Sequence, residues 1–219
     1  MKLKYLPLSD SLYHYVCEHS SRAHDPLLER LRAETEALGE IAEMQISREQ
    51  GSLISLLTAT LGATAAIEVG TFTGYSAICA ARGLAPGGKL ICLDESAEWT
   101  AIARRYWAEA GLSDRIELRL GPAVPTIEAL EPGLTFDFAF IDAEKTEYDR
   151  YYELLLPRVR PNGLMLFDNM LWGGRLGKGP VDHPSGRAID LLNRKLSRDP
   201  RIESVLLTVA DGLHVCRKR

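Results

Sequence analysis

Apolar and polar positions along this 219-residue chain follow two rhythms. Short apolar runs at 65–69, 90–94, 116–120, 136–142 and 163–168 read as strands, and the stretches 75–84, 97–110, 124–130 and 147–156 between them carry helical periodicity. Strand, helix, strand at that cadence predicts a parallel sheet with helices on both faces. Upstream, Asp25-Pro26 offers an N-cap and a first-turn proline, and Leu27, Leu28, Leu31 and Leu38 then recur at helical spacing up to Gly39. A second helix follows, because Ser47-Arg48-Glu49-Gln50 has the form of a capping box and Leu53, Ile54, Leu56, Leu57 and Leu61 supply an apolar face ending at Gly62. Near the end, a helix over 186–196 precedes strand-like runs at 202–209 and 213–216. These two are joined by Ala210-Asp211-Gly212, a hairpin signal, so the last strand is expected antiparallel in an otherwise parallel sheet. The chain thus reads as one domain over 1–219, with a helical extension over 1–62 and an α/β core over 63–219. Its one long unpatterned stretch is the glycine-rich loop 172–185, and loops of that length are commonly functional or mobile.

Composition narrows the class. A hydrophobic content of 46% is enough for a full core, and a formal charge of -4 leaves no electrostatic footprint for nucleic acid or anionic lipid. The basic end, Arg217-Lys218-Arg219, reads as a solvated tail. Cys17, Cys79, Cys92 and Cys216 are scattered without C-x-x-C spacing, which points to a reducing cytoplasm. The start, Met1 to Pro7, lacks an apolar signal region, and no stretch is long enough to span a membrane.

Two constellations carry chemistry. Glu68-Val69-Gly70-Thr71-Phe72-Thr73-Gly74-Tyr75-Ser76 links the first strand to a helix, where α/β sheets bind adenosine-type ligands. A dinucleotide fingerprint needs glycine where Phe72 stands, which argues against a nicotinamide or flavin oxidoreductase. Asp94 closes the second strand, where a carboxylate either accepts the hydroxyls of a ribose or caps the next helix; Glu68 is either its partner or a solvated strand residue. The second constellation is Asp142-Ala143-Glu144-Lys145 with Asp168-Asn169, at the C-terminal ends of the fourth and fifth strands. Either aspartate alone reads as a cap or turn former. Together with an amide and a lysine they offer hard oxygen ligands for a cation such as Mg²⁺, which stabilises an ionised phenol. The like charge of such a cation favours the neutral amine of Lys145, a candidate general base. The histidines at 14, 19 and 24 have no matching ligand cluster, and His183 reads as part of a solvated loop beside Arg175 and Lys178.

At these residues the sequence resembles the class I S-adenosylmethionine-dependent O-methyltransferases of the caffeoyl-CoA and catechol type. The likeness runs from Met44-Gln45-Ile46-Ser47 and Glu49-Gln50-Gly51, through the glycine turn, Ala103-Arg104-Arg105-Tyr106-Trp107 and Phe140-Ile141-Asp142-Ala143-Glu144-Lys145, to Asp168-Asn169-Met170-Leu171-Trp172 and Asp211-Gly212-Leu213. It implies a Rossmann-like methyltransferase fold with a seven-stranded, mostly parallel sheet. It also implies that Asp142, Asp168 and Asn169 bind a divalent metal and that Lys145 is the catalytic base. S-adenosylmethionine contacts are implied for Ile46, Glu68, Gly70, Thr71, Ser76, Asp94, Ala123, Glu144 and Tyr151, with Asp94 on the ribose. Met44, Asp142 and Trp172 are implied at the substrate, a small ortho-dihydroxy aromatic, and a homodimer is expected. The chain departs from the family pattern at Glu144 and Pro122, where aspartate is frequent, and at Arg48, where proline is. Pro122 brings neither a carboxylate nor a backbone donor to the cofactor side. Two alternatives stand beside this expectation: a metal-independent small-molecule methyltransferase and a non-catalytic adenosine-ligand-binding domain.

Overall fold

Successive residues of a strand point to opposite faces of a sheet, so a strand that is apolar at every position requires cover on both sides. In the computed structural model, which describes residues 4–20, 24–179 and 181–219, the central strands come close to this, apolar on both faces but for Glu68 and Asp137 in two of them. Three helices come first: α1 (Asp10–Glu18), α2 (Pro26–Glu36) and α3 (Arg48–Thr60). Then follow β1 (Ala65–Val69), α4 (Tyr75–Gly83), β2 (Lys89–Asp94), α5 (Ala97–Glu109), β3 (Ile116–Leu120), α6 (Ala123–Glu128) and β4 (Phe136–Ile141). The chain ends with α7 (Tyr148–Leu155), β5 (Val159–Phe167), α8 (Pro184–Leu196), β6 (Ile202–Leu207) and β7 (Leu213–Lys218).

The seven strands lie in the order β3-β2-β1-β4-β5-β7-β6. Pairing is parallel from β3 to β5, and β7 runs antiparallel to both of its neighbours. This is the expected Rossmann-like sheet with its last strand reversed. Ala66, Leu90, Phe138, Phe140 and Leu166 pack toward α2, α3, α4 and α5. Ile67, Leu93, Ala139, Ile141 and Phe167 pack toward α6, α7 and α8. Each large side chain so buried stabilises the fold by roughly 1.5–3 kcal/mol.

Most predicted boundaries fall within a residue or two of the observed ones, and the differences have local causes. Helix α1 lacks an apolar stripe in the sequence because only Cys17 is buried along it. It docks on α3 through a polar contact instead, with Tyr13 Oη donating to Glu49 Oε2 at 3.1 Å. Ser47 stands at the N-cap of α3, but the capping box does not form. Its Oγ has no partner, Glu49 is taken by Tyr13, and Gln50 is fully buried in the interior. Strand β5 begins earlier than expected, at Val159, because the pairing slips between Phe136 and Phe138 and residues 160–163 bulge. The basic C-terminus is not a free tail. Arg217 pairs with Glu203, and Lys218 Nζ donates to the carbonyls of Leu156 (2.9 Å) and Val159 (2.7 Å). Pro180 of the long loop and Met1 to Leu3 of the extension lie outside the described residues. Among the described residues, no helix is long and apolar enough to cross a membrane.

One carboxylate fastens the entry of the sheet. Asp137 Oδ2 accepts from Thr64 N (2.6 Å) and Ala65 N (2.9 Å), and its Oδ1 accepts from Arg160 Nε (2.6 Å). Burial alone would raise its pKa, but these donors outweigh it and hold the carboxyl below its usual range. A depressed folded-state pKa contributes stability that is fully present above the unfolded value of about 3.9 and is lost as pH falls through the folded one. Asp137→Asn is therefore expected to cost about 1.5–3 kcal/mol at pH 7. In urea unfolding the gap to the parent should close as pH drops below ~4; a gap unchanged down to the acid limit would contradict the assignment.

Candidate active site

Three ladder hydrogen bonds continue past the strand ends. Gly70 N donates to Leu93 O (2.9 Å), Asp142 N to Val69 O (2.8 Å) and Asp168 N to Ile141 O (3.0 Å). They set the residues after β1, β4 and β5 side by side at the C-terminal edge, where the strand order reverses and a crevice opens. A cavity of about 640 Å³ lies over that edge.

One wall is the glycine turn. Gly70 has φ 86°, and a Cβ there would stand 2.0 Å from the carbonyl oxygen of Asp142. Phe72 also takes the left-handed region, at φ 51°, which costs a non-glycine residue about 1–2 kcal/mol. Asp94 offsets that cost, since its Oδ2 accepts from Thr71 N (2.9 Å) and Phe72 N (2.8 Å). The ring of Phe72 meets Trp99 edge-on at 5.1 Å. Ser96, not Asp94, caps α5 by accepting from Trp99 N at 3.1 Å. The strand alternation puts Glu68 on the Ala66 side, fully buried beneath α4, with Oε2 lacking a partner. Burial pushes its carboxyl up to about 8, the hydroxyls of Ser76 and Thr71 offset part of that rise, and Asp142 and Asp94 add to it. A strap closes this wall: Gln45 Nε2 donates to Thr35 Oγ1 (2.9 Å) and Thr73 Oγ1 (3.2 Å), tying residues 44–46 to the turn.

The other wall is acidic. Lys145 Nζ sits 2.6 Å from Asp142 Oδ1 and 2.7 Å from Tyr148 Oη. Tyr148 is fully buried, and its hydroxyl faces the carbonyls of Ile141 and Asp168, both at 3.3 Å. Asp168 is 3% exposed. Burial and then the negative charge of Asp142 push its carboxyl up, while Gln50, the backbone N–H of Asn169 and Lys145 pull it down. The two polar atoms of the Gln50 side chain lie buried near Asp168 without a hydrogen bond of ordinary geometry, so its pull is a weak one. Asn169 turns at φ 58° and lines the cavity.

Of the residues singled out in the sequence, Met44, Ile46, Gly70, Thr71, Ser76, Asp94, Ala123, Asp142, Glu144, Lys145, Tyr151 and Asn169 form the cavity wall together. Glu68 and Asp168 lie buried just behind it. Trp172 is not part of the wall. Its indole packs on His183 at 5.2 Å, with Nε1 buried and unpartnered. His183 itself caps α8, accepting at Nδ1 from Ser185 N. Sequence reasoning passed over Phe72 and Trp99 as ligand-facing aromatics, and Gln45, Glu147 and Tyr148 as polar members of the site. An aromatic five residues after Asp94 was a readable signal for Trp99; Tyr148 carried none beyond its helix periodicity.

A family model described as O-methyltransferase matches residues 17–219. The chain is 36% identical over 214 residues to a probable caffeoyl-CoA O-methyltransferase 2 of Dictyostelium discoideum, covering 96% of this chain and 92% of that protein. It is 34% identical over 226 residues to a caffeoyl-CoA O-methyltransferase of Petroselinum crispum, covering 98% and 93%. The solved structure of an O-methyltransferase from Bacillus cereus in complex with SAH superposes with a TM-score of 0.87 at 30% identity, covering 95% of this chain and 97% of that one.

The burial of Glu68 has a measurable consequence. Folded, the carboxyl keeps its proton up to about pH 8; unfolded, it ionises above about 4.3. With the folded value raised, its contribution to stability is full below the unfolded pKa and declines as pH rises through the folded one. Glu68→Gln cannot ionise, so in dialysed protein it should gain stability relative to the parent between pH ~5 and ~8. Urea unfolding across that range would contradict this if the difference stayed flat.

Proposed function

The chain belongs to the S-adenosylmethionine-dependent O-methyltransferases, and from that premise we propose that it methylates a hydroxyl of a small ortho-dihydroxy aromatic with the help of a divalent cation, Mg²⁺ by the hardness of its ligands. Asp142, Asp168 and Asn169 are the cation ligands of this reading, and Lys145 is its base. The observation that carries it is the acidic corner. Two carboxylates converge at the cavity edge, one pushed up by burial and by the other's charge, and a single lysine is the nearby counter-charge. Among the described residues no group of three or more His, Cys, Asp or Glu side chains is placed to hold a metal. Two carboxylates and an amide suit a cation that keeps water or substrate oxygens in its remaining positions, as Mg²⁺ does. The orphaned amide of Gln50 beside Asp168 fits a corner organised around added positive charge.

The opposite wall fits the cofactor. The unpartnered, buried Oε2 of Glu68 suits an ammonium, and Asp94 faces the cavity where a ribose would be read. Ile46, Gly70, Thr71, Ser76, Ala123, Glu144 and Tyr151 complete the cofactor set, with Phe72 and Trp99 added to it. Met44 and Asp142 belong to the substrate side; Trp172 reaches it only through the loop it anchors.

When bound, the cofactor supplies an electrophilic methyl and the cation supplies Lewis acidity that favours an ionised phenol. Lys145 would take the proton of the attacking hydroxyl at Nζ only as the neutral amine, having given up its own proton to solvent and its ion pair with Asp142; the like charge of a bound cation would favour that form. Tyr148 steadies Nζ from the far side through its hydroxyl. Because attack by an anion on a sulfonium removes charge, the fold contributes mostly alignment, holding the reacting atoms at about 3–3.5 Å. The same reading takes 1–219 as one domain acting as a homodimer in the cytoplasm. The exposed Tyr5, Leu6, Leu8 and Tyr15 support an interface between copies, and the four scattered, buried cysteines fit a reducing compartment.

A panel of catechols assayed by mass spectrometry with S-adenosylmethionine should give methylated product that EDTA abolishes and Mg²⁺ restores. Activity indifferent to EDTA would remove the cation, and no product from any ortho-dihydroxy aromatic would remove the acceptor class. Lys145→Ala should lower kcat by about 10²–10⁴-fold while leaving S-adenosylhomocysteine affinity within about twofold; a parallel loss of that affinity would argue against a base.

A further inference from the structure

Behind the acidic corner runs a partly buried polar chain that the reaction does not use. His214 on β7 is 3% exposed, and its Nδ1 lies 2.8 Å from Oδ1 of Asn193 on α8. Asn193 Nδ2 in turn donates to the carbonyl of Met170 at 2.8 Å. The direction of this chain is fixed by chemistry. A carbonyl only accepts, so the amide must turn its NH₂ toward Met170 and its oxygen toward His214, and His214 must carry its proton on Nδ1. Burial holds the imidazole down, at about 4, so it is neutral and can keep that tautomer.

What the chain holds is the turn that follows Asp168. Asn169 sits in the left-handed region at φ 58°, which asparagine tolerates better than most residues, so the direction of the turn is left to its partners. On one side the β6–β7 connection fixes the turn: Met170 N donates to Gly212 O (2.9 Å), Leu171 N to Asp211 O (2.8 Å) and Gly173 N to Asp211 Oδ1 (2.7 Å). These bonds take up donors of the turn. The Met170 carbonyl is an acceptor facing the opposite way, toward α8, and Asn193 is the group that meets it.

We infer that Asn193 and His214 are positioning residues for the cation corner: His214 orients the Asn193 amide, and that amide clamps the Met170 carbonyl so that Asp168 and Asn169 are presented together toward Asp142. This rests on the reading of Asp142, Asp168 and Asn169 as cation ligands. Neither residue touches the cavity, so their effect falls on cation affinity and not on the cofactor wall. Groups that orient metal ligands typically change affinity by about 10–100-fold when removed.

The test uses the full chain saturated with S-adenosylhomocysteine, with Mn²⁺ as the probe, titrated by electron paramagnetic resonance. Asn193→Leu should weaken Mn²⁺ binding by at least about tenfold. His214→Phe, which keeps a ring and loses the donor, should weaken it severalfold, and His214→Gln, which keeps an N–H for Asn193, should recover most of the parent affinity. S-adenosylhomocysteine affinity, measured separately by calorimetry, should stay within about twofold throughout. Parent protein that binds Mn²⁺ beside folded variants that bind it equally well overturns this inference alone. So does a loss of Mn²⁺ and S-adenosylhomocysteine binding in equal measure, the mark of a merely structural role. Parent protein that binds no divalent cation overturns the cation reading and this inference with it. Should Asn193→Leu fail to fold, the contrast between His214→Phe and His214→Gln decides.

Discussion

The approach of Gly70 to the carbonyl of Asp142 is the contact on which both halves of the site depend. With 2.0 Å between that oxygen and the place of a Cβ, no side chain fits, and the exits of β1 and β4 can lie against each other only because residue 70 has none. The same residue must adopt φ 86°, so glycine is demanded twice, by space and by backbone. Were the two exits pushed apart, the glycine turn and the acidic corner would open onto different crevices. A displacement reaction tolerates little of that, because donor and acceptor must meet at near van der Waals distance.

Given that proximity, the charges fall into a pattern. Glu68, Asp142 and Asp168 gather within one edge of the sheet, and the charge of Asp142 raises the cost of ionising both Glu68 and Asp168. Lys145 answers part of this negative charge through Asp142. Tyr148 does not add to it: burial, then Asp142 and Asp168, push its phenol well above the ordinary value, so it serves as a neutral hydrogen-bonding group. An edge with surplus acid and few counter-charges favours cationic guests. A sulfonium, an ammonium and a divalent cation are the three that the proposed reaction brings.

Legibility in the sequence followed the range of the forces involved. The strands of the core were readable because each buries residues on both faces as a near-continuous apolar run, and the glycine turn because steric demands leave few residue choices. The reversal of β7 was readable from Asp211-Gly212, whose glycine sits at φ 89° against Leu171. The capping box at Ser47 misled because the local pattern was right, but Gln50 is drawn inward to face Asp168. Likewise the basic end looked solvated because the carbonyls that bind Lys218 come from residues about sixty positions earlier. Tyr148, Asn193 and His214 were missed for one reason: each matters through a partner on another element, and nothing in their own neighbourhood of sequence marks it.

The loop 172–185 was the least legible part, and its construction shows why. The loop after the acidic corner is pinned at both ends. Trp172 lies against His183 and against Gly186, where a Cβ would come within 2.9 Å of the indole nitrogen. Between those anchors Gly173, Gly174 and Gly179 all take positive φ, so the path of the chain is set by glycine and not by a buried stripe. Such a segment leaves no periodicity to read. It also has freedom that the corner lacks, since the turn at Asn169 and Met170 is held by β7, the β6–β7 connection and α8, independently of the loop beyond Trp172. Changes in that loop can therefore leave the geometry of Asp142, Asp168, Asn169 and Lys145 intact.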